Sequence, residues 1–143
     1  MLDPAYLKSL LTLINDKHYT GMHAADLADE LAPESEAPIE FTEAGHKFKY
    51  HMDEARQAGL IRQRDKPSAD GWGLFVSVDG HWSFTCVALV LTPVGGEFLE
   101  ELNKPKGIER LKNGLRSVGA AAGTEALKFG VAEVLKAATS GSV

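Results

Sequence analysis

The sequence contains a single cysteine, Cys86, and no long apolar run. One cysteine cannot form an intramolecular disulfide, and nothing in the sequence indicates an oxidising compartment. No segment reaches the roughly 18 to 20 apolar residues that a helix needs to cross a bilayer. The first residues, MLDPAYLKSLL, do not resemble a secretory signal, because Asp3 and Pro4 precede the apolar run. We therefore expect a cytoplasmic protein without a membrane partner.

Catalytic and metal-binding signatures are also lacking. The sequence has no Gly-x-Ser-x-Gly, no phosphate-binding glycine loop and no dinucleotide fingerprint. His46 and His51 do not have the i, i+4 spacing of a zinc-binding helix, so they point to different sides. Gly95 and Gly96 lie between a strand pattern and a helix pattern, where they favour close packing over phosphate binding. We expect no catalytic residue, no metal and no cofactor, and therefore no enzyme.

Positive charge is missing from one long segment. Residues 67–103 contain no Lys or Arg but five Asp or Glu, whereas residues 1–66 carry a net charge of −4 and residues 104–143 a net charge of +4. The chain as a whole carries −5, and 44% of its 143 residues are apolar, which is enough for a core. The sequence therefore combines an acidic body with a basic C-terminal region.

Apolar residues at helical spacing predict three helices in the first part of the chain. The first covers residues 3–17, with Asp3 as N-cap, and a short second helix covers 24–31. The third covers 43–58, begins at a Thr42 cap and ends before Gly59. Its inward positions are Phe48, Met52 and Ala55.

The pattern then changes to that of strands. A short strand at 60–64 precedes two β-rich runs, 74–78 and 82–91, and the Asp79-Gly80 pair between these runs predicts a hairpin. Cys86 falls in the second run and is interpreted as a small core residue. Helices are expected after Thr92-Pro93, after Pro105 and from Thr124, with a break at VGAAAG, residues 118–123.

Two segments resemble signatures of winged-helix proteins. YHMDEARQAGLIRQR, residues 50–64, resembles the end of the recognition helix in MarR-like and ArsR-like repressors. LVLTPVGGEFLEEL, residues 89–102, resembles the exit from their second wing strand into the next helix. Over residues 4–138 the chain is also similar to an uncharacterised bacterial and phage family of winged-helix proteins of unknown function.

The resemblance implies an α+β fold of the winged helix-turn-helix type. A three-helix core and an antiparallel β-hairpin wing would occupy residues 1–103, and residues 104–143 would form a C-terminal helical extension. The function implied is a DNA-binding regulator of transcription, encoded by a bacterium, phage or prophage, with helix 43–58 in the major groove of duplex DNA. The expected DNA contacts are His46, Lys47, Lys49, Tyr50, Arg56, Gln57, Arg62, Arg64 and Lys66.

A second interpretation is a protein–protein interaction module on the same scaffold, for example a phage-encoded modulator of a host protein, without DNA binding. The absence of Lys and Arg from the wing and the acids on helix 43–58 count against DNA binding and favour a solvated helix surface, because carboxylates repel phosphates. Trp72 is the expected contact to a partner, since aromatic residues are enriched at interface hot spots; the alternative is that alternate aromatic residues of the hairpin cover the three-helix core. The apolar last helix predicts a homodimer, with interface residues Phe129, Val131 and Leu135; the alternative is that this helix packs on its own domain.

Overall fold

The computed structural model of the protein describes residues 2–33, 37–118 and 124–140, and it shows an α+β fold. In these ranges the helices are α1 Pro4–Asp16, α2 Ala24–Leu31, α3 Glu43–Gln57, α4 Pro93–Leu102, α5 Gly107–Val118 and α6 Thr124–Ser140, with a 3₁₀ turn at Ile39–Phe41. The strands are β1 Met22–His23, β2 Ile61–Gln63, β3 Leu74–Val76, β4 Trp82–Phe84 and β5 Ala88–Leu91. None of the described helices has the length and apolar character to cross a membrane.

The predicted helix caps are confirmed. The Asp3 side chain accepts hydrogen bonds from the backbone N–H groups of Ala5 and Tyr6 at the start of α1. Thr42 and Thr92 accept in the same way from Gly45 and Gly95 at the starts of α3 and α4. These side chains satisfy N–H groups that have no partner within the helix, so they set where each helix begins.

Two small antiparallel sheets lie between the helices. One has the strand order β1-β5-β2, with Met22 opposite Leu89 and Ile61 opposite Leu91. The other is the predicted hairpin of β3 and β4, in which Val76 lies opposite Trp82. The two-residue strand β1 is not predicted by the sequence pattern, because it is too short to show an alternation.

The predicted continuous strand 82–91 is wrong, because the chain turns between β4 and β5. The Thr85 N–H donates to the Gly73 carbonyl, and the Val87 N–H donates to the Thr85 carbonyl. This turn lets β4 pair with β3 while β5 pairs with β1 and β2. Cys86 lies within the turn and is exposed, so its interpretation as a core residue is also wrong.

One hydrophobic core runs through the molecule. Phe48 of α3 and Phe98 of α4 are fully buried in the same cluster as Leu111 of α5 and Val134 of α6. The described helices after residue 103 therefore contribute side chains to the same core as the first part of the chain. The predicted break at VGAAAG falls on residues 119–123, outside the described ranges.

Candidate functional site

The third helix has one buried side and one open side, as its periodicity predicts. Phe48, Met52 and Ala55 are fully buried, and the exposed residues on the other side are Glu43, Ala44, His46, Lys47, Tyr50 and Gln57. Four of the predicted DNA contacts therefore lie on a solvent-facing side of a helix of 15 residues.

The cations of this helix are held by carboxylates of the same chain. The Lys47 Nζ lies 3.1 Å from Asp3 Oδ2, and the Lys49 Nζ lies 2.8 Å from Asp53 Oδ2. Arg56, the remaining cation of α3, is paired as well. The helix therefore presents ion pairs, and it offers a phosphate no uncompensated positive charge.

Arg56 faces the segment that leads into the hairpin. One of its guanidinium nitrogens donates to the Ala69 carbonyl at 2.6 Å and lies 3.6 Å from Asp70 Oδ1. Its side chain is only 21% exposed, so this arginine fastens the segment to α3. A nucleic acid would have to displace these contacts before it could bind Arg56.

The predicted contacts beyond α3 are mostly occupied as well. Arg62 donates to the backbone carbonyls of Gln63 and Arg64. Arg64 is paired with Asp65 at 3.1 Å and donates to the Thr20 carbonyl at 2.6 Å. Lys66 is exposed, and within the described ranges its side chain has no hydrogen-bond or ion-pair partner. It is therefore the one predicted cationic contact that the described chain leaves without a partner.

Some of the uncharged residues on the open side of α3 also make contacts within the protein. The His46 Nε2 lies 2.8 Å from the Glu40 carbonyl oxygen, and its ring packs edge-on against Trp82. Tyr50 is 37% exposed, and partial burial raises the pKa of its hydroxyl above the usual value. Gln57 is exposed near the end of the helix.

The hairpin packs on α3 through aromatic rings. Trp72 lies edge-on to Phe48 with ring centres 5.7 Å apart, and Phe84 lies 6.4 Å from both rings. The Trp72 indole N–H donates to Asp53 Oδ1 at 2.8 Å, and the residue is 5% exposed. Trp72 is therefore a core residue that anchors the hairpin, and its prediction as a contact to a partner is wrong for this conformation.

A second anchor comes from Glu40, which the sequence analysis did not select. Its carboxylate accepts from the Trp82 backbone N–H at 3.2 Å and lies 3.0 Å from His81 Nδ1. Hydrogen bonds from its own backbone N–H and from His81 hold the pKa of Glu40 below its usual range. The same carboxylate, with Asp79 next in effect, raises the pKa of His81. No local pattern reveals this contact, because Glu40 and Trp82 are far apart in the sequence.

The hairpin carries exposed apolar side chains on both of its faces, because Phe75 and Val76 are successive residues of β3 and point to opposite sides. Phe75 is 59% exposed and Val76 47%, and Val78 at the turn is fully open to solvent. Phe41 of the 3₁₀ turn is also exposed and lies edge-on to the His81 ring at 6.3 Å. We call these four apolar residues, Phe41, Phe75, Val76 and Val78, the hairpin surface.

The predicted interface of the last helix is largely buried within the chain itself. Val131 is 5% exposed in the common core, and Leu135 is half-buried against it. Both side chains serve the intramolecular packing of α6, so they are unavailable to a second copy unless the helix detaches. Phe129 remains exposed, at 41%.

A buried histidine ties α3 to the start of α1. The His51 Nε2 accepts from the Asp3 backbone N–H at 2.9 Å, so Nδ1 carries the proton and donates to the Lys47 carbonyl at 2.8 Å. Its ring packs on Tyr6 and Tyr50, and burial, the largest effect, lowers the pKa of His51 below its usual value. The nearby Asp3 carboxylate opposes this shift, and the Lys47 ammonium adds to it.

We expect His51 to make the protein less stable in mild acid. A histidine whose pKa is lowered by folding binds its proton more tightly when unfolded, so its contribution is complete above about pH 6.5 and is lost below it. The loss from this residue is at most about 1.4 kcal/mol per pH unit. Urea unfolding followed between pH 7.5 and 5.5 should show this slope, and His51→Gln, which does not titrate, should flatten it.

His81→Gln serves as the control for the pH dependence. The pKa of His81 is raised by folding, so its contribution is present below about pH 6.5 and is lost as pH rises above that value. Titration of His81 therefore changes the free energy of unfolding in the opposite direction to that of His51, and over a higher pH range. A slope below pH 6.5 that persists unchanged in His51→Gln would contradict the assignment to His51.

Comparison with known proteins adds no assignment. Among the described residues, no group of three or more His, Cys, Asp or Glu side chains is arranged to hold a metal ion. No protein-family model, curated protein or solved structure matches the chain. The candidate site is therefore defined by its own geometry: a charge-neutralised helix α3, with the hairpin surface beside it.

Proposed function

We propose that the protein is a winged-helix module that binds a partner protein through the hairpin surface. Two features support the winged-helix part of the proposal: the strand order β1-β5-β2, and the position of α1 to α3 before β2 in the sequence. In such a fold the segment between β2 and β5 is the wing. Here that segment contains the β3–β4 hairpin.

The exposed apolar side chains of this hairpin are the observation that carries the proposal. A wing that holds DNA needs cations for the phosphates, since neutralising phosphates supplies most of the non-specific affinity. Residues 67–103 contain none, and the cations of α3 are already paired. Exposed aromatic and aliphatic side chains on a rigid support instead suit a protein interface.

Charge also indicates the kind of partner. Asp79 is exposed at the hairpin turn, where its ion-pair partner among the described residues is His81, while Asp70 is paired with Arg56. A partner segment that is apolar and flanked by Lys or Arg would bury the Phe75 ring and also make favourable charge contacts with Asp79. We therefore expect a partner whose contact region is apolar at its centre and basic at its edge.

Replacing Phe75 tests the proposal. A photo-crosslinking amino acid at position 75, expressed in the native host, should capture a protein, whereas the same group at Val94, exposed on α4, should not. Excess wild-type protein should compete for this partner, and Phe75→Ser should compete at least about thirtyfold less well, as expected for a hot-spot residue. Because Phe75 is exposed, the variant should remain folded.

Two results would contradict the protein-binding proposal. One is equal competition by wild type, Phe75→Ser and a Val94→Ser control. The other is salt-dependent binding of genomic duplex fragments, measured by fluorescence anisotropy and weakened by Lys47→Ala or Arg64→Ala. The open side of α3 and the strand order favour this DNA-binding regulator as the second candidate.

A further inference from the structure

A cavity of about 530 Å³ lies between α1, the α4–α5 connection and α5, away from the hairpin. Its size falls within the range of small-molecule sites, roughly 300–1,000 Å³. The cations that line it come from all three elements: Lys8, Lys104, Lys106, Lys112 and Arg116. Glu109 is the one acidic residue in its lining. The cavity is therefore strongly basic in a chain whose net charge is −5.

Local contacts hold two of these cations in place. The Lys104 Nζ lies 2.5 Å from Oε1 of Glu101, whose side chain is buried at the end of α4. Lys106 has φ +66°, a left-handed conformation that lysine rarely adopts. The next residue, Gly107, fits tightly, because a Cβ there would lie 2.3 Å from the Glu101 carbonyl oxygen. The backbone around Lys106 is therefore fixed by packing against α4.

Three of the lysines have side chains that are free to meet a ligand. Within the described ranges the side chains of Lys8, Lys106 and Lys112 have no hydrogen-bond or ion-pair partner. Lys112 and Arg116 are one helical turn apart on α5, so they face the cavity together. Like charges gathered in one place repel one another, and a bound anion would relieve this repulsion.

Backbone donors lie at the same place. Ile108 and Glu109 line the cavity in the first turn of α5, and N–H groups there have no acceptor within the helix. The Arg110 N–H donates to the Lys106 carbonyl, which marks where the helix begins. N–H groups of a first turn favour anions, so they reinforce the charge of the lysines.

We infer that this cavity binds a small molecule that carries more than one phosphate group. A single phosphate bears about −1.5 to −2 charges at neutral pH, which is less than the net +3 that the five cations provide once Glu109 and Glu101, the partner of Lys104, are subtracted. Two or three linked phosphates match this charge and can reach cations on different elements. The inference is independent of the hairpin surface, which lies on other elements.

The test uses the full chain with tripolyphosphate and with ATP as probes in isothermal titration calorimetry at low salt. Lys106→Gly removes a charge and suits the left-handed backbone, and Lys112→Gln removes a second charge from an exposed position. Each should weaken binding about tenfold, as expected for a charged hydrogen bond. Lys66→Gln is the matched control, because Lys66 is exposed and lies outside the cavity. This variant should bind both probes as tightly as wild type does.

The two probes distinguish the sources of the phosphates. Equal affinity for tripolyphosphate and ATP supports a site that contacts phosphates alone, and tighter binding of ATP supports a nucleotide. The inference is overturned if neither probe binds, or if Lys66→Gln weakens binding as much as Lys106→Gly. The proposed ligand class is wrong if a duplex DNA fragment binds the protein more tightly than both probes do, and if Lys106→Gly weakens this DNA binding. Unchanged melting temperatures of the unliganded variants would show that folding is intact.

Discussion

Replacing Gly95 with alanine is expected to lower the free energy of unfolding by about 3 kcal/mol or more. A Cβ on Gly95 would lie 2.0 Å from the Leu60 carbonyl oxygen and 2.9 Å from the Leu60 carbonyl carbon. These atoms are backbone, so they cannot rotate away as a side chain could. Since single domains are stable by only about 5–15 kcal/mol, the variant would lose a large part of its stability.

The contact cannot relax without breaking others. The same Leu60 carbonyl accepts a hydrogen bond from the Thr92 N–H at 3.0 Å, and the Thr92 hydroxyl donates to the Gly59 carbonyl. Moving α4 away from Leu60 would lengthen both hydrogen bonds and open the core around Phe98. The penalty therefore combines steric strain with lost hydrogen bonds.

Gly96→Ala is the matched control in the next position of the same helix. A Cβ on Gly96 would meet no atom within 4 Å, so the variant should be as stable as wild type or up to about 1 kcal/mol more stable, because alanine favours helix. Urea unfolding monitored by circular dichroism would give both values. A Gly95→Ala protein as stable as Gly96→Ala would refute the close contact between α4 and Leu60.

Replacing Trp72 with alanine is expected to cost about 3–5 kcal/mol of stability. The change removes a ring packed against Phe48 and Phe84 and takes away the donor to Asp53. The hairpin would then be held by Phe84 against Phe48, by Trp82 against His46 and by the contacts of Glu40. We therefore expect the hairpin to loosen before the remainder of the fold unfolds.

Phe75→Ala and Trp72→Phe are the controls for Trp72. Phe75 is exposed, so its removal should change stability by no more than about 0.5 kcal/mol. Trp72→Phe keeps an aromatic ring against Phe48 and loses mainly the hydrogen bond to Asp53, so it should cost less than the alanine variant. Thermal and urea unfolding give these differences. If Trp72→Ala were no less stable than Phe75→Ala, the hairpin would not be anchored through the indole.

The helices could be predicted because their signals are local. Caps at Asp3, Thr42 and Thr92, together with apolar residues at helical spacing, place the helix starts and the buried sides correctly. The Asp79-Gly80 pair likewise places the β3–β4 turn, where Gly80 has φ +89°. In each case the decisive residues lie within one or two turns of the element that they define.

The contacts that decide the candidate site are long-range, and the sequence pattern does not contain them. Lys47 pairs with Asp3 and Arg56 pairs with Asp70, and both pairs join separate elements. The sequence pattern predicts that these cations are exposed, but it does not show that a distant carboxylate neutralises them. The sequence predicts Trp72 as a surface contact because it is aromatic, whereas in the fold Gly73 allows the chain beside Trp72 to pack against Val87. Exposure along a helix can thus be predicted from spacing, but charge pairing depends on the tertiary structure.

The turn between β4 and β5 provides a natural position for a spectroscopic probe. Cys86 is the only thiol of the chain and is exposed in this turn, where the hairpin joins the three-stranded sheet. A maleimide dye or nitroxide can therefore be attached to the unaltered protein at a single known position. The two tryptophans of the chain, Trp72 and Trp82, both belong to the hairpin region, so energy transfer from them to a dye would follow the distance between this region and the sheet in real time.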